Sequence, residues 1–330
     1  PCTRKISVKR YYVFPNAADR IPTGGIMRVT NNMMTDSLVR YLTAQNEALY
    51  ERQTTIASQK RINRPSDDPI GMGKVLDYRQ TLSSIEQYGT NIQSGQKRLE
   101  ITEITLDLVD ELLQGVRAIA MTEAGGTTDS RQLTAGEVKN MFDQVLDLAN
   151  SKLNGNYMFS GYQTQTAPFA RDDTLATTFD QFTVTYNGDA GDARFIVAHN
   201  TEITIDADGQ PLFHNAAAGG INIFDAMRDL IVALETDDTV AITAQADLVD
   251  QGRKQINNTR AANSPILYQL MTSENHWQNY KPKIQELLAK EEDVDVTQAV
   301  VELQSIELAY QTTLATTARI TQQGLIDFLK

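Results

Sequence analysis

Three histidines, His199, His214 and His276, stand in three different segments of the chain. A transition-metal site needs several nitrogen, sulfur or carboxylate ligands held close together. None of the three has a cysteine or a second histidine at ligand spacing, so all read as packed or exposed side chains. GMGK at 71–74 is the nearest approach to a phosphate loop. It lacks the first glycine of that pattern, and Val75 follows where a Ser or Thr would reach the magnesium ion. The carboxylate pairs Asp172-Asp173, Asp237-Asp238 and Glu291-Glu292 fall in polar loops or at helix ends. Solvated charge fits them better than acid-base work or calcium binding. Neither a GxSxG run nor a candidate triad occurs, so the residues point to no enzyme, no cofactor and no metal.

The densest special chemistry is conformational. Residues 61–71 read RINRPSDDPIG, between long helical stretches. Pro65 biases Arg64 out of the helical region and predicts the end of the first helix. Asp68 is a good N-cap with Pro69 at the first position of the next helix, and Asp67 and Asp68 both favour its positive end. Arg61 and Arg64 can pair with these aspartates or with a neighbouring subunit, worth at most about 1 kcal/mol unless buried on assembly.

The elements around this joint are those of a mainly α protein. A chain of 330 residues with 41% hydrophobic content can hold two or three domains and a modest core. Its net charge of −12 is spread along the chain and disfavours a nucleic-acid or anionic-membrane partner. No run of eighteen apolar residues is present to span a bilayer. A single cysteine, Cys2, rules out an intramolecular disulfide, which by itself favours the cytosol. Residues 1–26 carry five basic residues against one acidic and lack the apolar core of a secretory signal. Met27 therefore reads as the natural start, with 1–26 a non-native or upstream extension.

From Met33 to Ile62, Leu42, Leu49 and Ile56 recur every seven residues, with Leu38 one turn earlier. The accompanying positions are mostly polar, so this helix has too narrow an apolar face to bury well alone. The next stretch is stronger: Ile85, Ile92, Leu99, Leu106 and Leu113 repeat at seven, giving a rod of roughly 50 Å that ends at Gly125 and Gly126. Gly89 and Gly95 inside it each cost about 1 kcal/mol relative to Ala, which close packing of a neighbouring helix would explain. A further helix is expected over about 130–153. Between Gly155 and Gly220 alternation replaces helical spacing, and 181–186, 193–197 and 202–205 read as short strands, with turn residues at Asn187-Gly188 and Asp208-Gly209. Helical patterning resumes at 221–235, about 239–261 and 266–290, with a kink at Pro282. The last helix, 296–329, carries Leu303, Ile306, Tyr310, Leu314, Ile320 and Phe328 on a thin apolar face.

The order helix, β insert, helix predicts one long antiparallel helical rod or coiled-coil bundle formed by the N- and C-terminal halves, with a small β-rich domain inserted in the middle. The expected parts are terminal helices at 27–63 and 296–330 that order on assembly, a rod at 64–159 and 221–295, and an outward-facing β domain at 160–220. Helices that cannot bury themselves are explained if their partners are other copies of the chain.

RINRPSDDPIG resembles the hairpin segment of the bacterial flagellin superfamily, in letters and in position. MRVTNNMM at 27–34 and NGNYMFSGYQTQTAPF at 154–169 are similar to the hook-associated, junction-forming branch rather than to the filament subunit, and TQQGLIDFLK resembles the shared carboxyl end. The resemblance covers Met27 to Lys330. It implies export, unfolded, through the flagellar type III apparatus, which replaces the cytosolic expectation. It further implies assembly with copies of itself as a ring between hook-associated protein 1 and flagellin, and an export chaperone on the C-terminal helix. The alternatives are a flagellin filament subunit, or a soluble coiled-coil or adhesive module.

Overall fold

A computed structural model describes residues 31–172, 182–205, 208–215 and 219–328. The expected extension at 1–26 and the proposed start at Met27 lie outside the described residues. The chain divides into two compact units, residues 1–63 with 294–330 and residues 64–293.

The first unit is a pair of helices, α1 (Asn31–Ser58) and α7 (Val296–Phe328). They run antiparallel: Arg52 meets Glu302 at 3.2 Å, and the Val294 amide donates to the Gln59 carbonyl at 3.1 Å. Pro65 does not end α1. Its last helical residue is Ser58, and Gln59 turns the chain in the left-handed region at φ 58.

The second unit is built on two long helices, α2 (Pro69–Glu123) and α6 (Thr239–Glu292). At 1.5 Å per residue the 55 residues of α2 span about 80 Å. Asp68 caps α2 through the Gly71 amide at 2.9 Å, and Asp238 caps α6 through Val240 and Ala241. α6 continues through Pro265, where the sequence suggested separate helices, and through Pro282, where it suggested a kink. Both prolines are exposed, as are Ala261 and Gln278 four residues before them, so the carbonyls that lose a helical donor face water. Packing against α2 outweighs the remaining strain.

The seam between them is apolar and its flanks are charged. Ile85, Ile92, Leu99, Leu106 and Leu113 are buried, together with Val109, Val116, Ile256 and Leu270. Along the flanks, Arg253 meets Asp110 at 3.1 Å, Arg260 meets Asp107 at 2.8 Å, Lys281 meets Glu86 at 2.9 Å and Lys74 meets Glu291 at 2.8 Å. These pairings fix an antiparallel register. A slip of one heptad would keep the apolar repeat but in one direction set Arg253 opposite Arg117.

Near the α2 carboxyl end, α3 (Thr128–Ala149) and α5 (Ile223–Glu235) complete a four-helix layer. Among the described residues the strands form three separate antiparallel pairs rather than one sheet: β1 (Lys152–Leu153) with β2 (Asn156–Tyr157), β3 (Phe169–Asp172) with β4 (Thr183–Tyr186), and β5 (Ala193–Ala198) with β6 (Thr201–Ile205). A single helical turn, α4 (Gln210–Phe213), follows. Asn187-Gly188 therefore does not join two paired strands, and Asp208-Gly209 leads into α4. The tight turns are Asn154-Gly155, both at positive φ, and His199-Asn200.

Two apolar clusters hold the unit together. The larger joins α2, α3, α5 and α6 to Phe159, Phe169, Phe182 and Phe213. Phe169 packs edge-on to Phe213 with centroids 5.3 Å apart, and Phe142 packs on Phe224 at 5.8 Å. Each such ring contributes roughly 1.5–3 kcal/mol of burial. The smaller cluster fixes the β5-β6 hairpin to the helix pair through Val197, Ile203 and Ile205 against Ile92, Leu99 and Leu270. Gly95 admits Phe195 and Leu270 at 3.4–3.5 Å of a would-be Cβ, whereas Gly89 faces nothing within 4 Å. Close packing accounts for the first glycine and not for the second.

Candidate assembly surface

Among the described side chains of α1 and α7, only Thr55 and Ala299 are buried. Leu38, Leu42, Leu49 and Ile56 on α1 are half-buried, as are Leu303, Ile306 and Tyr310 on α7, while Leu314 is exposed. The side chains of Ile320 and Phe328 lie outside the described residues. The heptad stripes are thus half-covered within the helix pair, apart from Leu314. What they leave is a second apolar set: Tyr41 is 64% exposed, Val301 62% and Leu308 66%, with Val39, Tyr50 and Val300 also exposed. Tyr41 and Leu308 line a groove along the helix pair together with Leu38 and Ala309. The sequence reading followed only the seven-residue repeat and missed these positions, which sit off the stripe.

Such a surface suits addition of further helices. Two helices crossing alone bury one narrow face each, and further helices laid on the pair would cover the rest. Gln45 and several hydroxyl groups also line the groove, and of the hydroxyls Thr312 and Thr316 bond back to their own helix carbonyls.

The joint divides at the boundary of the units. In the first, Asn63 Nδ2 donates to the Lys60 carbonyl at 2.9 Å. In the second, Pro65 sits in a turn closed from both sides, with the Arg64 amide donating to Asp67 Oδ2 at 2.8 Å and the Asp67 amide to the Arg64 carbonyl at 3.0 Å. Asp67 thus holds the turn through the Arg64 backbone, while Asp68 and Pro69 start α2.

The NYMFSGY run is explained by packing. Met158, Phe159 and Ser160 are buried, and Gly161 at φ 65 leaves no room for a Cβ, which would meet the Asp189 side chain and carbonyl. Asp189 accepts from the Tyr162 amide at 2.6 Å, and the Tyr186 hydroxyl donates to the carbonyl of Phe159 or Asp189, each 3.2 Å away. Burial pushes the Tyr186 hydroxyl well above its ordinary pKa. At the other end of α2, buried Arg131 donates to the Glu123 and Gly126 carbonyls and to Asp237, clamping two loops. The Arg131 hydrogen bond, assisted by Thr128, holds the Asp237 carboxyl below the usual range. Neither arrangement was visible as a motif, since both link residues far apart in sequence.

His199 and His276 are exposed and His214 half-buried. Among the described residues no group of three histidine, cysteine or carboxylate side chains is placed to hold a metal. Asp237, Asp238, Glu291 and Glu292 serve as a clamp partner, a cap and two ion-pair partners. Asp172 ends β3, and Asp173 lies outside the described residues.

A model of the bacterial flagellin N-terminal helical region matches residues 29–164. Flagellar hook-associated protein 3 of Escherichia coli (strain K12) is 26% identical over 262 residues, covering 74% of this chain and 80% of that protein. The chain is thus similar to the flagellin-like proteins, hook-associated protein 3 among them. The flagellin-like chain is also 25% identical to flagellin of Bacillus subtilis (strain 168), over 90% of its length and 97% of the relative's. A flagellar hook-associated protein structure from Vibrio parahaemolyticus superposes with a TM-score of 0.61 at 22% identity, covering 69% of this chain and 100% of that one. At that identity the likeness shows the fold alone, and it agrees with long helices carrying a small β region between them.

Proposed function

We propose that this chain is a structural protein of the bacterial flagellum that forms the ring joining hook to filament. The observation that carries the reading is the contrast within a flagellin-like chain between a self-sufficient rod and terminal helices whose apolar outer residues await partners. In this reading 27–63 and 296–330 order on assembly. The rod, 64–159 and 221–295, supplies lateral and axial contact area for passing torque, and 160–220 faces outward. The neighbours are further copies of the chain, hook-associated protein 1 on one side and flagellin on the other. An export chaperone holds the C-terminal helix before the chain leaves the cell through the type III apparatus. It acts outside the cell as no enzyme, and binds neither nucleic acid nor membrane.

A strain lacking the gene is expected to shed flagellin into the medium without building filaments, with filaments restored by the wild-type chain and not by Leu308→Asp. Normal filaments in the null strain would end this reading. The extended match to flagellin supports a second reading, a filament subunit. Abundance separates them: a filament subunit dominates sheared filaments, and a junction protein is a trace component.

A further inference from the structure

Gly89 lies inside a 55-residue helix with open space where its Cβ would be, a feature it shares with Gly73 of the same helix. It borders a solvent-open cleft of about 330 Å³ between α2 and α6, lined on the opposite side by Trp277. We infer that this cleft is a binding site for a neutral saccharide ring, which stacks on Trp277 over the space left by Gly89.

Three features favour that ligand class. Trp277 is the only tryptophan of the chain, and its ring is held by neighbours in the fold. The indole Nε1 donates to the Val197 carbonyl at 2.7 Å, Tyr88 packs on the ring at a centroid distance of 5.3 Å and His276 at 4.8 Å. A held aromatic face recognises the apolar C–H face of a sugar without ordering cost. The rim supplies what hydroxyl groups need. Glu274 is oriented by Gln96 at 2.9 Å and Gln278 at 3.3 Å, and Glu86 by Lys281 at 2.9 Å, with the Gln93 side chain beside them. Carboxylates and amides arranged about one aromatic face give donors and acceptors at the ring edge. The volume suits one small ring, being at the lower end of the roughly 300–1,000 Å³ of ligand sites. An extended apolar ligand would leave the rim unpaired. This site lies on the rod and not on the terminal helix pair, and it stands whether the chain is a junction protein or a filament subunit.

The single tryptophan makes the test direct. The full chain is titrated with N-acetylglucosamine and with cellobiose while Trp277 emission is followed, and sorbitol, an open-chain polyol that offers no ring face, serves as control. Gly89→Leu fills the cleft from a position with open space around it, and a circular dichroism melting midpoint no lower than wild type shows that it folds. The expected result is a saturable emission change with at least one of the sugars, absent with sorbitol and weakened roughly tenfold or more by Gly89→Leu. No saturable change with either sugar, a change that sorbitol reproduces, or one that Gly89→Leu leaves intact would overturn the proposal.

Discussion

The helix pair α1-α7 and the helix pair α2-α6 are built from the same element, a long antiparallel hairpin of helices, and come to opposite ends. α2 alone buries fourteen residues, among them Ile92, Leu106 and Leu113 with no exposed surface, whereas the described side chains of α1 and α7 together bury two. The reason is the second position of the repeat. In α2 Val109 and Val116 accompany Leu106 and Leu113, while in α1 Gln45 and Arg52 accompany Leu42 and Leu49. One apolar row per helix makes a contact and two make a core. α2-α6 also recruits α3, α5 and the β5-β6 hairpin, so its helices are covered on more than one side. Under the proposed function, the rod holds its own fold and the poorly buried pair is the part whose apolar surface assembly would cover.

The widest separation between the two regions is expected from leucine truncation. Leu113→Ala leaves a cavity in the rod and should cost about 2–5 kcal/mol in urea unfolding of the monomer. Leu308→Ala should change monomer stability by no more than about 0.5 kcal/mol, as surface substitutions do. It should nevertheless lower incorporation into flagella in a complementation assay. Equal stability losses from the two would remove the distinction between rod and terminal pair.

Arg131 tests whether the rod's far end needs its clamp. Arg131→Ala strips donors from the buried Glu123 carbonyl and from Gly126, and should cost about 1–3 kcal/mol. The same site carries a pH dependence. The Asp237 carboxyl is held below its ordinary 3.8 in the folded chain, so its contribution is complete above that value and is lost as pH falls through the lower folded value. Asp237→Asn should flatten the acid limb of the melting curve there and leave it unaltered at pH 7 relative to pH 6. A change confined to neutral pH would contradict the assignment.

Long-range geometry is where the sequence was least informative. The heptad of α2, the Asp68-Pro69 start and three strand positions were legible, because each depends on spacing or on neighbours within a few residues. α6 was read as two helices, because exposure of Pro265 and Pro282 depends on which face meets α2. β1, β2 and β3 were missed since two are two-residue strands and β3 is defined by its pairing with β4. The Asn154-Gly155 turn was visible in the letters NGNY and went unread. On the candidate surface, Leu42 and Leu303 were legible through their repeat, and Tyr41, Val301 and Leu308 were not, because exposure off the stripe is a property of the helix pair.

Two glycines in one helix sharpen the comparison inside the rod itself. Gly95→Leu should drive the new side chain into Leu270 and Phe195 and cost about 1–3 kcal/mol, loosening the β5-β6 hairpin as read by hydrogen exchange. Gly89→Ala meets nothing and should raise stability by roughly 0.5–1 kcal/mol. Similar losses at both sites would mean that α2 is closed along its whole length and that no cleft exists beside Trp277.

The smallest expected effect on folding is at the joint, and there the two regions are separated most cleanly. Asp68→Ala removes the acceptor for the Gly71 amide, and paired with Pro69→Ala it also removes the residue that presets the first turn of α2. Capping losses run to about 1 kcal/mol. The long α2-α6 seam lies beyond that first turn and is kept, so the monomer's melting point should fall only slightly. Incorporation into flagella should nevertheless drop by more than the melting point implies, because the joint connects the rod to the helix pair that the proposed function has meeting other subunits. A sharp fall in melting point with incorporation intact would show that the joint belongs to the rod's stability and not to its coupling with the terminal pair.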